Sequence, residues 1–110
     1  MRRVDEAVRQ VLSDAVASDL QDPRIGFVTM TSVNTSSDLR HARVYVSVLG
    51  DEAQRADTLA GLSSAHGALQ RRLARELRLK RTPTLEFLYD DTTDRAMRLE
   101  QLIEREVDEA

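Results

Sequence analysis

Two strand-like segments of this sequence are separated by a helical stretch too long for a hairpin, and that separation constrains the fold more than any other feature. In "RHARVYVSVLG" (40–50), Ala42, Val44, Val46 and Val48 fall on one face, with Arg43, Tyr45 and Ser47 on the other. In "RTPTLEFLYDD" (81–91), Leu85, Phe87 and Tyr89 share a face. Strict alternation of this kind marks half-buried strands. Antiparallel neighbours are joined by short turns, whereas parallel neighbours need a crossover of a dozen or more residues. The intervening stretch, from about 52 to 79, is a crossover of that length, so the two strands are predicted to pair in parallel.

The crossover reads as an amphipathic helix. At about 100° per residue, Leu59, Leu62, Ala65, Leu69, Leu73 and Leu77 fall within a stripe of about 120°. Arg71, Arg72, Arg75 and Arg78 are expected on the opposite side. Upstream, Val4, Val8, Val11, Leu12, Ala15, Val16 and Leu20 recur at helical spacing until Asp22-Pro23, because proline disfavours helical geometry in the residue before it. The β-branched segment "GFVTMTSVNTSS" and the polar "SSDL" then predict a hairpin with the 40–50 strand. Downstream, Asp91 and Asp94 suit the start of a last helix whose apolar positions are Met97, Leu99, Leu102, Ile103 and Val107, expected to form a packed end of the domain. The predicted class is α+β: helix, strand, strand, helix, kink, helix, strand, helix, with a three-stranded mixed sheet covered by helices on one face. At 110 residues the chain is expected to form a single domain, 1–110.

Charge narrows the function. The formal net charge is −3, yet six of the 16 basic residues lie at Arg71, Arg72, Arg75, Arg78, Lys80 and Arg81, opposed there only by Glu76. From Glu86 onward acids predominate, at Asp90, Asp91, Asp94, Glu100, Glu104, Glu106, Asp108 and Glu109 against Arg95, Arg98 and Arg105. A local basic patch steers a polyanion whatever the net charge, although exposed helical faces also carry charge merely to stay solvated. The chain has no cysteine, which excludes disulfides and thiolate metal sites and suits a reducing cytoplasm. Charges interrupt the amphipathic N-terminus too often for a signal peptide, and no segment approaches the roughly 20 apolar residues of a membrane span. His41 and His66 lack a Cys or His partner, the Asp90, Asp91 and Asp94 cluster reads as helix capping, and Ser63 and Ser64 have no base partner. No phosphate-binding loop or dinucleotide fingerprint is present. Neither catalytic residues, metal, cofactor nor small-molecule substrate is therefore expected. Aromatic residues are 4% of the chain, and Phe27, Tyr45, Phe87 and Tyr89 are expected mostly in the core, so contact with folded RNA through its backbone is favoured over base stacking.

The long helical pattern is interrupted at Ala65-His66-Gly67, where glycine costs about 1 kcal/mol relative to alanine. Two readings stand: Gly67 lets two helices bend around the sheet, or it makes a backbone-exposed elbow before the arginine face. His66, at the break, is expected either beside RNA as a stacking or phosphate-neighbouring residue or as an inert exposed side chain.

With this break, the element order resembles a type II KH domain, an RNA-binding fold. The Gly-x-x-Gly clamp of that fold is missing, since Gly61 is followed three residues on by Ser64 and Gly67 by Gln70. The Ala-x-Gly break stands between "DPRIGFVTMTSVNTSSDLRHARVYVSVLGD" and "LRLKRTPTLEFLYDDTTDRAMRLEQLI". Asp22-Pro23-Arg24, the 38–51 segment, and Tyr89-Asp90-Asp91 leading to Arg95-x-Met97-Arg98 complete a pattern that resembles the ribosome-binding factor A family over nearly the whole chain. That resemblance implies binding to the immature small ribosomal subunit through its rRNA, and the chain is expected to act as a cytoplasmic monomer. It also implies support for late maturation and rRNA processing and importance during growth in the cold. Two alternatives remain at this point: a free-standing KH module for single-stranded RNA, and a protein-interaction domain acting through the acidic C-terminal helix.

Overall fold

The computed structural model describes the backbone of residues 2–18 and 22–109, and side chains over 3–18, 22–92 and 95–103. Leu20, Val107, Glu104 and Asp94 of the sequence argument lie outside the described side chains. The element order is α1 (Arg2–Ser18), β1 (Val28–Thr35), β2 (His41–Val48), α2 (Glu52–Ser64), α3 (His66–Leu77), β3 (Thr84–Tyr89) and α4 (Thr92–Glu109).

The sheet order is β1-β2-β3, with β1 antiparallel and β3 parallel to β2. The long crossover therefore has the consequence its length required. Alternation, reset in β1 by one extra residue at Thr31, places one row of each strand inward: Met30 and Val33 of β1, Ala42, Val44, Val46 and Val48 of β2, Leu85 and Phe87 of β3. Val8, Leu12 and Ala15 of α1, Leu62 of α2, and Leu69 and Leu73 of α3 close over that row. Leu59, Ala65, Leu77 and Tyr89 pack at its margins. The opposite sheet face stays open and polar, carrying Thr29, Asn34, Arg43, Ser47, Thr84 and Glu86 in exposed positions. Among the described residues, no helix is long and apolar enough to cross a membrane.

Local chemistry sets the element ends. Asp51 caps α2 by accepting the Gln54 backbone N–H at 2.9 Å, while the Gln54 side chain accepts the Asp51 N–H at 2.8 Å. Gly50, at φ +138°, turns the chain into that capping box, and a Cβ there would collide with the Gln54 side chain. A β-bulge at Thr31 shifts the β1–β2 register between Met30 and Ser32.

One expectation fails. α4 is not a packed end of the domain: Met97, Leu99, Leu102 and Ile103 are each more than half exposed, at 56, 58, 55 and 53%. The Cα radius of gyration, 16.5 Å, exceeds the roughly 13 Å of a compact chain near this length. Helical periodicity identified the apolar stripe of α4, but periodicity carries no information about whether another element covers it.

Candidate nucleic-acid interface

The helix break is a single residue, Ala65, at φ −85° and ψ 3°, whose N–H donates to the carbonyls of Gly61 and Leu62 at 3.1 Å. A segment far away in sequence holds it. The Asp22 carboxylate accepts from the Arg24 backbone N–H at 2.9 Å and from its guanidinium at 2.7 Å. These bonds hold the Asp22 carboxyl below the usual carboxylate range. Arg24 Nη2 also donates to Ser64 Oγ at 3.0 Å, one residue before the break. Buried Thr58 donates to the Arg24 carbonyl at 3.3 Å and accepts the Gly26 N–H at 3.4 Å. The Asp-Pro-Arg segment is thereby fastened to the last turns of α2.

This contact explains a glycine, and it is Gly61. A Cβ on Gly61 would lie 2.7 Å from Ile25 Cγ1, so only glycine permits the close approach. Gly67 lies in the first turn of α3, where a Cβ would meet nothing nearer than Arg71 Nη1 at 3.5 Å, an ordinary contact.

α3 presents the arginines unequally. Leu69 and Leu73 are buried, which turns Arg71 and Arg75 to solvent, each about 200° around the helix from the leucine two residues before it. Arg72 departs from the expected outer face. It stands three residues beyond Leu69, hence only about 60° from it around the axis, at the flank of the buried stripe. Its side chain is 19% exposed and its Nε pairs with Glu76 at 2.6 Å. Arg78 ends the helix in the left-handed region, at φ 39° and ψ 42°.

His66 is half-buried, and its Nε2 accepts the Leu85 backbone N–H at 3.3 Å on the β3 edge. Gln70, one turn on, donates to the Pro83 carbonyl at 2.9 Å. One flank of α3 thus holds the segment entering β3. That segment brings Lys80 and Arg81 alongside Arg40 and His41, with Thr82 and Thr84 between them, around an open groove. The floor is stitched by the Thr84 N–H, which donates to the Arg40 carbonyl at 2.8 Å. Arg40 and His41 were not among the expected contact residues. They join the site through the parallel register that sets His41 opposite Thr84, which no local pattern displays.

The aromatic residues divide otherwise than expected. Phe87 is buried and Tyr89 packs against the core, with the Arg55 guanidinium 4.2 Å from its ring centroid. Phe27, expected in the core, is 82% exposed because it precedes β1 and lies outside the alternating rows. Tyr45 is half-buried in a β2 position between the inward-facing Val44 and Val46, so it belongs to the open face. Of the acidic cluster, Asp90 accepts from Thr92 Oγ1, Thr31 Oγ1 at 2.7 Å and the Thr92 N–H at 3.0 Å, and these bonds lower its pKa. Asp91 pairs with Arg95 at 2.9 Å. Among the described residues, no group of three or more His, Cys, Asp or Glu side chains is arranged to hold a metal ion.

Topology and break together define a KH-like domain of type II order, with Ala65-His66-Gly67 where the clamp would stand and a cationic margin beside it. The sequence pattern of the family described as ribosome-binding factor A matches residues 1–103. A ribosome-binding factor A of Thioalkalivibrio sulfidiphilus is 45% identical over 107 residues, covering 97% of this chain and 83% of that protein. The crystal structure of ribosome-binding factor A from Thermus thermophilus superposes with a TM-score of 0.72 at 32% identity, covering 80% of this chain and 93% of that one. A homology model of the Thermus thermophilus factor, fitted into a cryo-EM map of a 30S complex, superposes with a TM-score of 0.65 at 32% identity, covering 78% and 90%. The chain belongs to the ribosome-binding factor A family.

Proposed function

We propose that this chain is a non-enzymatic assembly factor that binds the immature small ribosomal subunit through its rRNA. It acts as a cytoplasmic monomer and supports late subunit maturation and rRNA processing, including during growth in the cold. The observation that carries this reading is the exposed run of Arg71, Arg75, Arg78, Lys80 and Arg81, for which the described residues supply no acidic partner. The related Thermus factor, placed in a 30S complex, adds support. The clamp backbone of a single-strand KH module is missing, and His66 occupies a backbone position on the β3 edge, so a free-standing single-strand binder is the weaker alternative.

Reversing Arg71 and Arg75 to Glu tests this directly. Both side chains are exposed, so the melting curve is expected to stay near that of the wild type while co-sedimentation with small subunits is lost. For the wild type, log affinity is expected to fall with log salt by roughly 0.7 to 0.9 per phosphate neutralised. A folded double variant that co-sediments with wild-type salt dependence would reduce the α3 face to a solvated surface. The exposed apolar residues of α4 favour a second contact, to protein: loss of subunit binding in Leu102→Ser at an unchanged melting temperature would assign it.

A further inference from the structure

Two loops distant in sequence carry the only non-glycine residues with positive φ among the described residues. Leu39, at φ 60°, lies in the turn before β2, and Arg78, at φ 39°, begins the segment before β3. Both are conformations that L side chains rarely adopt. Each lies within a few residues of the groove formed by Arg40, His41, Lys80, Arg81, Thr82 and Thr84. Both loops are also held from below. Asp38 accepts from Ser36 Oγ at 2.7 Å and the Arg40 N–H at 3.0 Å, and the Ser36 N–H donates to the His41 carbonyl at 2.9 Å. On the other bank, Gln70 holds Pro83 and His66 holds Leu85, while Thr84 joins the banks through the Arg40 carbonyl.

We infer that this groove is a distinct phosphate-binding seat, which takes one strand of the sugar-phosphate backbone of folded RNA across the floor between β2 and β3. The inference rests on the RNA-binding reading above and extends it: Lys80 and Arg81, at the end of the cationic run, are joined by Arg40 and His41 in a seat away from the outer face of α3. Arg40 and His41 stand on one bank and Lys80 and Arg81 on the other, all exposed or half-exposed, with the Thr84 hydroxyl exposed between them. Guanidinium, ammonium and hydroxyl donors together are the group set that grips phosphate oxygens and fixes register without reading sequence. Asp38 offsets part of the charge, lying 3.6 Å from Arg40, whereas neither Lys80 nor Arg81 has an acidic partner among the described residues. No Phe, Tyr or Trp lines the groove, so a base has only the His41 ring to stack on there, and the groove is open rather than enclosed, which suits a backbone strand better than a sequestered small anion. The fastened floor means that the cations need little backbone ordering on binding.

The test uses the full chain with Arg40→Ala, Arg81→Ala and the double variant. Binding is measured across a salt series both to small subunits and to protein-free small-subunit RNA. Each single variant is expected to flatten the salt slope by about one unit without changing preference among RNA sequences. The double variant should fall short of the sum of the two, because both side chains grip the same backbone run. Combined with Arg71→Ala on the separate α3 face, each should instead add in log affinity. Melting temperatures near that of the wild type would show the fold intact. Wild-type binding and slope in both single variants would overturn the groove while leaving subunit binding by α3 in place. Weakened binding to particles with unchanged binding to free RNA would also overturn it, in favour of an acidic protein segment as occupant. Failure of the wild type to bind either target would remove the RNA-binding reading itself.

Discussion

α3 and α4 are near twins in sequence pattern, since both set an apolar stripe against a charged face, yet the fold treats them oppositely. α3 buries Leu69 and Leu73 against the sheet and α1 and turns Arg71 and Arg75 outward. α4 leaves Leu99, Leu102 and Ile103 more than half exposed. The difference lies in what flanks them. α3 lies inside the β2–β3 crossover, so chain connectivity presses its stripe onto the sheet. α4 follows the last strand, and it is tied at its start by Asp90 to Thr31 of β1. Amphipathicity specifies which face of a helix wants cover, and topology specifies whether cover is supplied.

The sharpest way to break this comparison is to truncate one leucine on each helix. Leu73→Ala, in a fully buried position, is expected to cost about 2–5 kcal/mol, by transfer and cavity terms together. Leu102→Ala should stay within about 0.5 kcal/mol, because its side chain is already largely in water. Chemical denaturation of the two variants checks both numbers, and equal losses would mean that α4 is covered in solution.

A second contrast concerns the glycines on either side of the break. Gly61→Ala drives a methyl group into Ile25 and should destabilise by roughly 1–3 kcal/mol, as overpacking does. Gly67→Ala meets only ordinary contact and should stabilise α3 by about 0.4–1 kcal/mol, by reducing the freedom of the unfolded chain. If Gly67→Ala instead lowers the melting temperature, the break has a conformational demand at Gly67 that its surroundings do not display.

The smallest expected effect sharpens the account of how α4 is tied. The Thr92 hydroxyl, the Thr31 hydroxyl and the Thr92 N–H stabilise the charged form of Asp90, so its folded pKa is depressed. A depressed acid contributes stability that is present above the unfolded value of about 3.9 and is lost as pH falls through the lowered folded value. Hydrogen-exchange protection in the first turn of α4, corrected for the intrinsic pH dependence of amide exchange, should therefore fall in acid, and Asp90→Asn should remove that loss. An Asp90→Asn protein with the wild-type acid response would place the titrating group elsewhere.

Much of this was legible before any coordinates. The alternation of Val44, Val46 and Val48 and of Leu85 and Phe87, the helical stripe through Leu62, Leu69 and Leu73, and the length of the crossover specify the mixed sheet and its helical cover. Each is a short-range regularity, and backbone geometry converts such regularities into faces. The candidate site was legible only in part. Arg71, Arg75, Arg78, Lys80 and Arg81 form a run in sequence, whereas Arg40 and His41 stand in a different hairpin with nothing local to connect them to that run.

By itself, then, the sequence determined the elements, their apolar faces and the parallel pairing of β2 with β3, because side-chain period and connection length act within one or two elements. Only the tertiary structure decided that Gly61 rather than Gly67 is the glycine under steric constraint, that Arg72 is drawn into the flank of the core, that Arg40 and His41 face Lys80 and Arg81 across a stitched floor, and that α4 is left uncovered. Those outcomes depend on register and on which surfaces meet across distant parts of the chain. Such contacts are set by packing the whole domain at once, so no local period encodes them.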